Sequence, residues 1–237
     1  MRRRGGAARG AARGAARGAV LKIVLPRGPL THTPKRPSPL PAPADTSIAT
    51  DFSGSTGVLG CVRGRDLWVA NIGDSRAILG GVAAGGRAIS RAVSADHKPD
   101  LPAEKARIER AGGRVFAVEY DDGEEAPPRV WLATADIPGL AMSRSLGDVV
   151  AHSVGVTSEP EMHHLLIPAE MTWLIFASDG LWEFMSNDEV VAMTAKAPSV
   201  GKAIDALITE ATDRWMRKEQ IVDDTTVVIV EFESAKK

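Results

Sequence analysis

Cysteine is nearly absent from this chain. Its 237 residues hold only Cys61, which excludes an internal disulfide and fits a reducing, cytoplasmic or nuclear setting. The place of Cys61 in the apolar stretch VLGCV predicts a buried structural thiol. Long apolar runs are missing as well: none approaches the roughly 18 consecutive residues of a membrane span, so no membrane partner is expected. The first 44 residues lack any acid and carry eight Arg and two Lys. The rest holds 19 basic and 30 acidic residues, a net charge of −11, and an acidic body argues against nucleic-acid binding. His97, His152, His163 and His164 show no metal-ligand spacing and are read as surface or structural residues.

What is present divides at about residue 45. Residues 1–45 contain three copies of AARG and then a proline-rich stretch, LPRGPLTHTPKRPSPLPAPA. Gly every fourth residue weakens a helix and the prolines forbid one, so a disordered segment is expected. An Arg-rich, acid-free amino terminus also resembles an organelle transit peptide, although serine is scarce. Residues 46–237 read as one mixed α and β domain, and a monomer is expected. Asp66 to Gly81 alternates Leu67, Val69 and Asn71 against Trp68, Ala70 and Ile72, then turns at Gly-Asp, which predicts a hairpin. Pro102 opens a helix with Glu104 and Lys105 outward and Ile108 and Ala111 inward, stopped at Gly112-Gly113. Tyr120 to Pro128 reads as an exposed acidic loop. TWLIFAS is apolar on both faces, as in a covered central strand. Ser186 and Glu189 form a capping box for a helix at Asn187. Ile204, Leu207, Ile208, Ala211 and Trp215 make the apolar stripe of a longer helix, and TTVVIVEF closes the chain as a buried strand.

The acids that end strands carry the chemistry. Asp179 follows the apolar run and precedes Gly180, Asp223 and Asp224 precede the last strand, and Asp74 sits in the Gly-Asp turn. Carboxylates clustered at strand ends repel one another unless a cation sits among them. A hard oxygen set suits Mg²⁺ or Mn²⁺ rather than zinc. Each Asp-Gly or Gly-Asp is also an ordinary turn dipeptide.

Eight segments, in order, carry a resemblance. They are SGSTG at Ser53–Gly57, VANIGDSRAIL at Val69–Leu79, SADHKP at Ser94–Pro99, EKARIERAGGRV at Glu104–Val115, PGLAMSRSLGD at Pro138–Asp148, SEPE at Ser158–Glu161, LIFASDGLWEFMSNDEVV at Leu174–Val191 and DDTTVVIV at Asp223–Val230. The chain resembles the metal-dependent protein serine/threonine phosphatases of the PPM family, also called type 2C. The resemblance implies an α+β fold: an antiparallel β-sandwich flanked by helices, α-β-β-α. It also implies a two-metal centre of Mg²⁺ or Mn²⁺ that activates water to hydrolyse phosphoserine and phosphothreonine in protein substrates. By motif, Asp179 and Asp223 match metal-binding aspartates, Asp74 matches one associated with a further metal, and Glu183 stands where the family usually has Asp. Asp224 takes the place of an Asn. The stretch from His97 to Asp148 resembles the flap beside the family's active site. Arg76 and Arg144 are read as structural ion-pair or hydrogen-bond partners.

The family's Asp-Gly-His-Gly-Gly strand, which supplies the metal-bridging Asp, is not among these residues, and neither are the two long helices that follow it. The expectation is therefore a phosphatase domain incomplete at its amino terminus, with sheet edges unpaired, one face short of helical cover and activity impaired. A truncated or mis-spliced gene, a non-catalytic relative that binds phosphoproteins, and a partner that supplies the missing strands each fit that expectation.

Overall fold

The structure, a computed structural model, describes residues 17–22, 49–118 and 126–232. Among these residues, thirteen strands and five helices follow in chain order. They are β1 (Arg17–Lys22), β2 (Gly54–Ser55), β3 (Gly57–Arg63), β4 (Asp66–Ile72), β5 (Arg76–Val82), β6 (Ala88–Ala92), α1 (Pro102–Arg110), β7 (Arg114–Phe116), β8 (Arg129–Trp131) and β9 (Pro138–Leu140). After them come β10 (Leu146–Gly147), α2 (Val149–His152), β11 (Glu161–Leu166), β12 (Met171–Ala177), α3 (Asp179–Trp182), α4 (Asn187–Lys196), α5 (Val200–Lys218) and β13 (Thr226–Glu231). The expectation of disorder over 1–45 lies outside the described residues, except that Arg17–Lys22 form a strand parallel to β13. Most of the acidic 120–128 loop also lies outside them.

Two sheets make the body. One has the order β1-β13-β12-β5-β6, and the other is β11-β4-β3. Apart from the β1 pairing, the strand pairs of both are antiparallel. Leu67 and Val69 of β4 meet Ala77 and Leu79 of β5, Leu174 of β12 and Val230 of β13 in the core between the sheets. The other face of the larger sheet, with Ile78, Ile175, Val227 and Ile229, packs on Val190 and Val191 of α4 and on Ile204, Leu207 and Ala211 of α5. β5 and β12 are thus covered on both faces, while β13 is covered by helices on one face and only partly on the other, where Thr226 is exposed and Val228 half-buried. A third cluster of Ile108, Val130, Ala151, Val154 and Val156 joins α1 and α2 to the small β7-β8-β9 sheet.

The hairpin expected over Asp66 to Gly81 does not form. β4 pairs with β3 and β11, whereas β5 pairs with β12 and β6. The Gly73–Ser75 turn instead carries the chain from one sheet to the other. The cause is burial: Leu67 and Val69 on one strand and Ala77 and Leu79 on the next are all fully buried, and facing each other across a core buries more apolar surface than lying side by side. The capping box at Ser186 and Glu189 forms as the sequence indicates. Cys61 is exposed rather than buried, because β3 is a sheet edge and Cys61 points away from the core. Helices cover the larger sheet on its outer face. Among the described residues, no helix packs on the outer face of β11-β4-β3.

Candidate active site

The acids gather where strands of the larger sheet end. β12 stops at Ala177, Ser178 caps α3, and Asp179 is that helix's first residue. Ser178 ties this segment to the start of β13: its hydroxyl donates to the Asp224 carbonyl at 3.1 Å and accepts from the Thr226 amide at 3.0 Å. Gly180 is required here, since a Cβ at that position would stand 2.5 Å from the Asp224 carbonyl oxygen. The Asp-Gly pair therefore ends the buried strand as it does so that the Asp223–Thr225 segment can lie against it.

Asp74 arrives from the turn between the sheets. Gly73 adopts φ +94, and a Cβ there would meet Thr56 Cγ2 at 2.4 Å. His97 holds the turn: its amide donates to the Gly73 carbonyl, and its Nδ1 accepts the Gly73 N–H at 3.1 Å. Burial, with Arg144 nearby, lowers the His97 pKa, so the ring is neutral and its Nε2–H donates to Glu161 Oε2 at 3.1 Å. Asn71 adds a donor to the same carbonyl at 3.1 Å.

Asp179 feels these neighbours. Burial first, then the charges of Asp74 and Asp223, push its carboxyl up to about 6, against the opposing charge of Lys98. The structure thus brings Asp74, Asp179 and Asp223 within electrostatic reach of one another. Asp74 is buried, and Lys98 Nζ donates to its Oδ2 at 2.7 Å. Burial would lower the Lys98 pKa, but the charge and hydrogen bond of Asp74, with Glu183 and Asp179 beyond, raise it. Glu183 is exposed, one turn after Asp179, and its charge reaches Lys98 and Arg76. Asp223 is exposed, and its Oδ1 accepts the Asp224 amide at 2.7 Å.

Lys98 is the residue that sequence reasoning missed. It lay in plain view within SADHKP, but nothing local marks a lysine as the partner of an acid 24 positions away. Arg76 and Arg144 are ion-paired, Arg76 with Asp96 and Arg144 with Glu104. Glu104, expected outward, is buried, because Ser143, Arg107 and Arg144 all donate to it, and Ala111, expected inward, is exposed because the helix ends at Arg110 and leaves it as the cap.

The donor chemistry suits a hard divalent cation: oxygen ligands carrying like-charge strain that a cation would relieve. The number of ligands does not suit a two-ion centre. Among the described residues, no group of three or more His, Cys, Asp or Glu is arranged to hold a metal ion. Lys98 already neutralises Asp74, and Asp223 turns to its neighbour's amide.

The fold is a two-sheet α+β body with helices on one side and carboxylates converging at a strand-end edge. A family model described as Protein phosphatase 2C matches residues 38–220. The chain is 44% identical over 179 residues to the "Probable protein phosphatase 2C 64" of Oryza sativa subsp. japonica, covering 74% of this chain and 41% of that protein. It is 43% identical over 178 residues to the "Probable protein phosphatase 2C 52" of Arabidopsis thaliana, covering 74% of this chain and 37% of that protein. The crystal structure of a serine-threonine phosphatase 2C from Toxoplasma gondii shares the fold, with a TM-score of 0.64, 24% identity, and coverage of 76% of this chain and 58% of that one. The chain belongs to the protein phosphatase 2C family. It spans less than half the length of these two plant relatives.

Proposed function

We propose that this chain carries the carboxylate-bearing part of a protein serine/threonine phosphatase, and that hydrolysis by these residues alone is impaired. The observation that supports this reading is the convergence of Asp74, Asp179 and Asp223 from three separate segments: after burial, the charges of Asp74 and Asp223 help push the Asp179 carboxyl up to about 6. Asp179 and Asp223 would hold one Mg²⁺ or Mn²⁺, with Glu183 beside them and Asp74 reached through Lys98. When bound, the ion supplies charge neutralisation and an acidified water. What the chain itself does is set out acids on rigid elements. α3 and β13 are pinned through Ser178, and His97 fixes the Gly73–Asp74 turn. Impairment is read from the residues present: no Asp-Gly-His occurs anywhere in the 237, and two adjacent divalent cations need a bridging carboxylate to offset their repulsion. The substrates we propose are phosphoserine and phosphothreonine proteins, in the cytoplasm or nucleus. Among the described residues, no helix is long and apolar enough to cross a membrane.

The Lys98–Asp74 pair favours a second reading, a non-catalytic phosphoprotein-binding module, since a lysine at the acids can meet a phosphate without an ion. One assay separates the two. The chain and its Asp179→Asn variant are given a phosphothreonine peptide with excess Mn²⁺, and both phosphate release and peptide binding are measured. Slow, Mn²⁺-dependent release that disappears in the variant supports the phosphatase. Binding without release, indifferent to Mn²⁺, supports the module. Turnover equal to that of the rice relative overturns the impairment.

A further inference from the structure

Gly73 lies in the bridge between the two sheets, beyond the strand ladders: β4 ends at Ile72 and β5 begins at Arg76. It is buried, so its carbonyl and its N–H each need a partner from a side chain or another loop. The carbonyl accepts from the His97 amide at 3.0 Å and from Asn71 Nδ2 at 3.1 Å. The N–H donates to the bare Nδ1 of His97 at 3.1 Å. A neutral imidazole carries a single N–H, so this last bond stands only while the His97 proton is on Nε2. An imidazolium, or the Nδ1–H form, would set two donors against each other at the turn.

The partner of the far nitrogen selects the form of the ring. His97 Nε2 meets Glu161 Oε2 at 3.1 Å, and an ionised carboxylate only accepts. Burial and the charge of Arg144 keep the ring neutral, against the pull of Glu161 and Glu104. Glu161 is held where it can do this. It opens β11, an edge of the smaller sheet, directly opposite Asn71 of β4. The two side chains therefore leave the sheet on the same face, and between them they serve both polar groups of Gly73, Asn71 directly and Glu161 through His97. The other Glu161 oxygen lies 3.3 Å from Nε2 of His163, the next residue along that face.

We infer that Glu161 is the positioning residue of Asp74. By fixing the tautomer of His97 from the edge of the smaller sheet, it locks the Gly73–Asp74 turn and aligns it with Lys98, whose Nζ donates to Asp74 Oδ2 at 2.7 Å. His97 immediately precedes Lys98, so one imidazole sets the register of both members of that pair. The His97 carbonyl is anchored separately by the Ser143 amide at 2.8 Å, which leaves the two ring nitrogens as the adjustable link. Glu161 acts at a distance: its effect travels through one ring and one peptide N–H. Its bearing on Mn²⁺ rests on the phosphatase reading of the acids; its bearing on the turn does not.

The test compares the full chain, labelled with ¹⁵N, with its Glu161→Ala and Glu161→Gln variants. The amide oxygen of Gln accepts the same proton, so that variant is the rescue. The readouts are the imidazole ¹⁵N signals of His97, hydrogen exchange of the Gly73 amide, and Mn²⁺ affinity by titration calorimetry. The expected result is His97 in the Nε2–H form alone in wild type and Glu161→Gln, and a mixture of forms in Glu161→Ala. In the Ala variant the Gly73 amide exchanges about tenfold faster, as loss of one buried hydrogen bond allows, while β12 and β13 amides keep their protection. Mn²⁺ then binds about tenfold more weakly, the lower end of what loss of a partner behind a metal ligand costs. A general loss of protection, equal in the Ala and Gln variants, assigns Glu161 to stability alone and overturns the proposal. So does an Nδ1–H ring in wild type, or an Ala variant that keeps the wild-type tautomer and Gly73 exchange. Equal Mn²⁺ affinity in wild type and the Ala variant overturns it as well. If wild type itself binds no Mn²⁺, the phosphatase reading falls, and the tautomer and the Gly73 exchange decide for or against Glu161 on their own.

Discussion

Glu104→Gln is expected to be among the most damaging single changes in the chain. Glu104 is 5% exposed. It accepts from Ser143 Oγ at 2.6 Å, from Arg107 Nη2 at 2.8 Å, and from Arg144 at 2.7 and 3.2 Å. Burial alone would raise its pKa, but those donors, Arg144 foremost, hold it well below the usual carboxylate range. Amidation keeps the shape, removes the charge and leaves two guanidinium groups facing each other. Breaking a buried ion pair from one side costs about 3–5 kcal/mol. Arg107 and Arg144 keep some solvent contact, 27% and 18% exposed at the side chain, which places the loss near the lower end, about 3 kcal/mol. At about 2–4 °C per kcal/mol for a domain of this size, the melting temperature should fall by about 6–12 °C. A surface pair, worth up to about 1 kcal/mol, would move it by less than about 4 °C. The sign with pH is fixed by the direction of the shift. A carboxyl with a depressed folded pKa contributes its full stability above its ordinary value of about 4.5 and loses it as pH falls toward the folded value. The gap between wild type and variant should therefore be full at pH 7 and shrink steadily below pH about 4.5. Calorimetry of both proteins across that range is the assay. A shift under about 2 °C at pH 7, or a gap that stays constant on acidification, refutes the reasoning.

Two further outcomes follow from the acid cluster. Asp179 titrates at about 6, above the ordinary 3.8, so the folded state binds its proton more tightly than the unfolded chain does. Without metal, wild type should lose stability relative to Asp179→Asn as pH rises from about 4 to 6, by about 1–2 kcal/mol given its partial exposure. Urea titrations at the two ends of that window measure it, and a flat difference contradicts it. Lys98→Gln removes the partner of buried Asp74 and should lower the metal-free melting temperature by several degrees. Because it also frees a carboxylate, Mn²⁺ should then raise the melting temperature more than in wild type, as thermal shifts with and without Mn²⁺ will show.

Much of the architecture was legible because periodicity and burial say the same thing along the strands. Leu67, Val69 and Asn71 alternate and are buried, TWLIFAS is apolar throughout and covered on both faces, and Ser186 with Glu189 starts its helix where the pattern indicates. The misreadings share one cause: sequence does not tell which elements are neighbours. A Gly-Asp turn between alternating strands looks the same whether the strands pair or face each other across a core. Glu104 reads as an outward helix residue until Arg144, 40 positions on, arrives beside it. Cys61 sits among apolar residues that would bury it in a central strand, and β3 is an edge. Asp74, Asp179 and Asp223 stand at strand ends in the sequence and lie within electrostatic reach of one another in the structure, whereas Lys98 carries no local mark at all.

The layer change at Gly73–Ser75 gives the molecule a mechanical property. Asp74 hangs on the short bridge between two slabs whose separation is set by the volumes of Leu67, Val69, Leu79 and Leu174. Trimming or enlarging any of these alters the gap by a fraction of its usual 10 Å, and the bridge transmits that change to the carboxylate. Mutations in the greasy interior, far from any charge, will therefore register at the acidic rim as altered spacing, so the thickness of the sandwich acts as a dial on its chemistry.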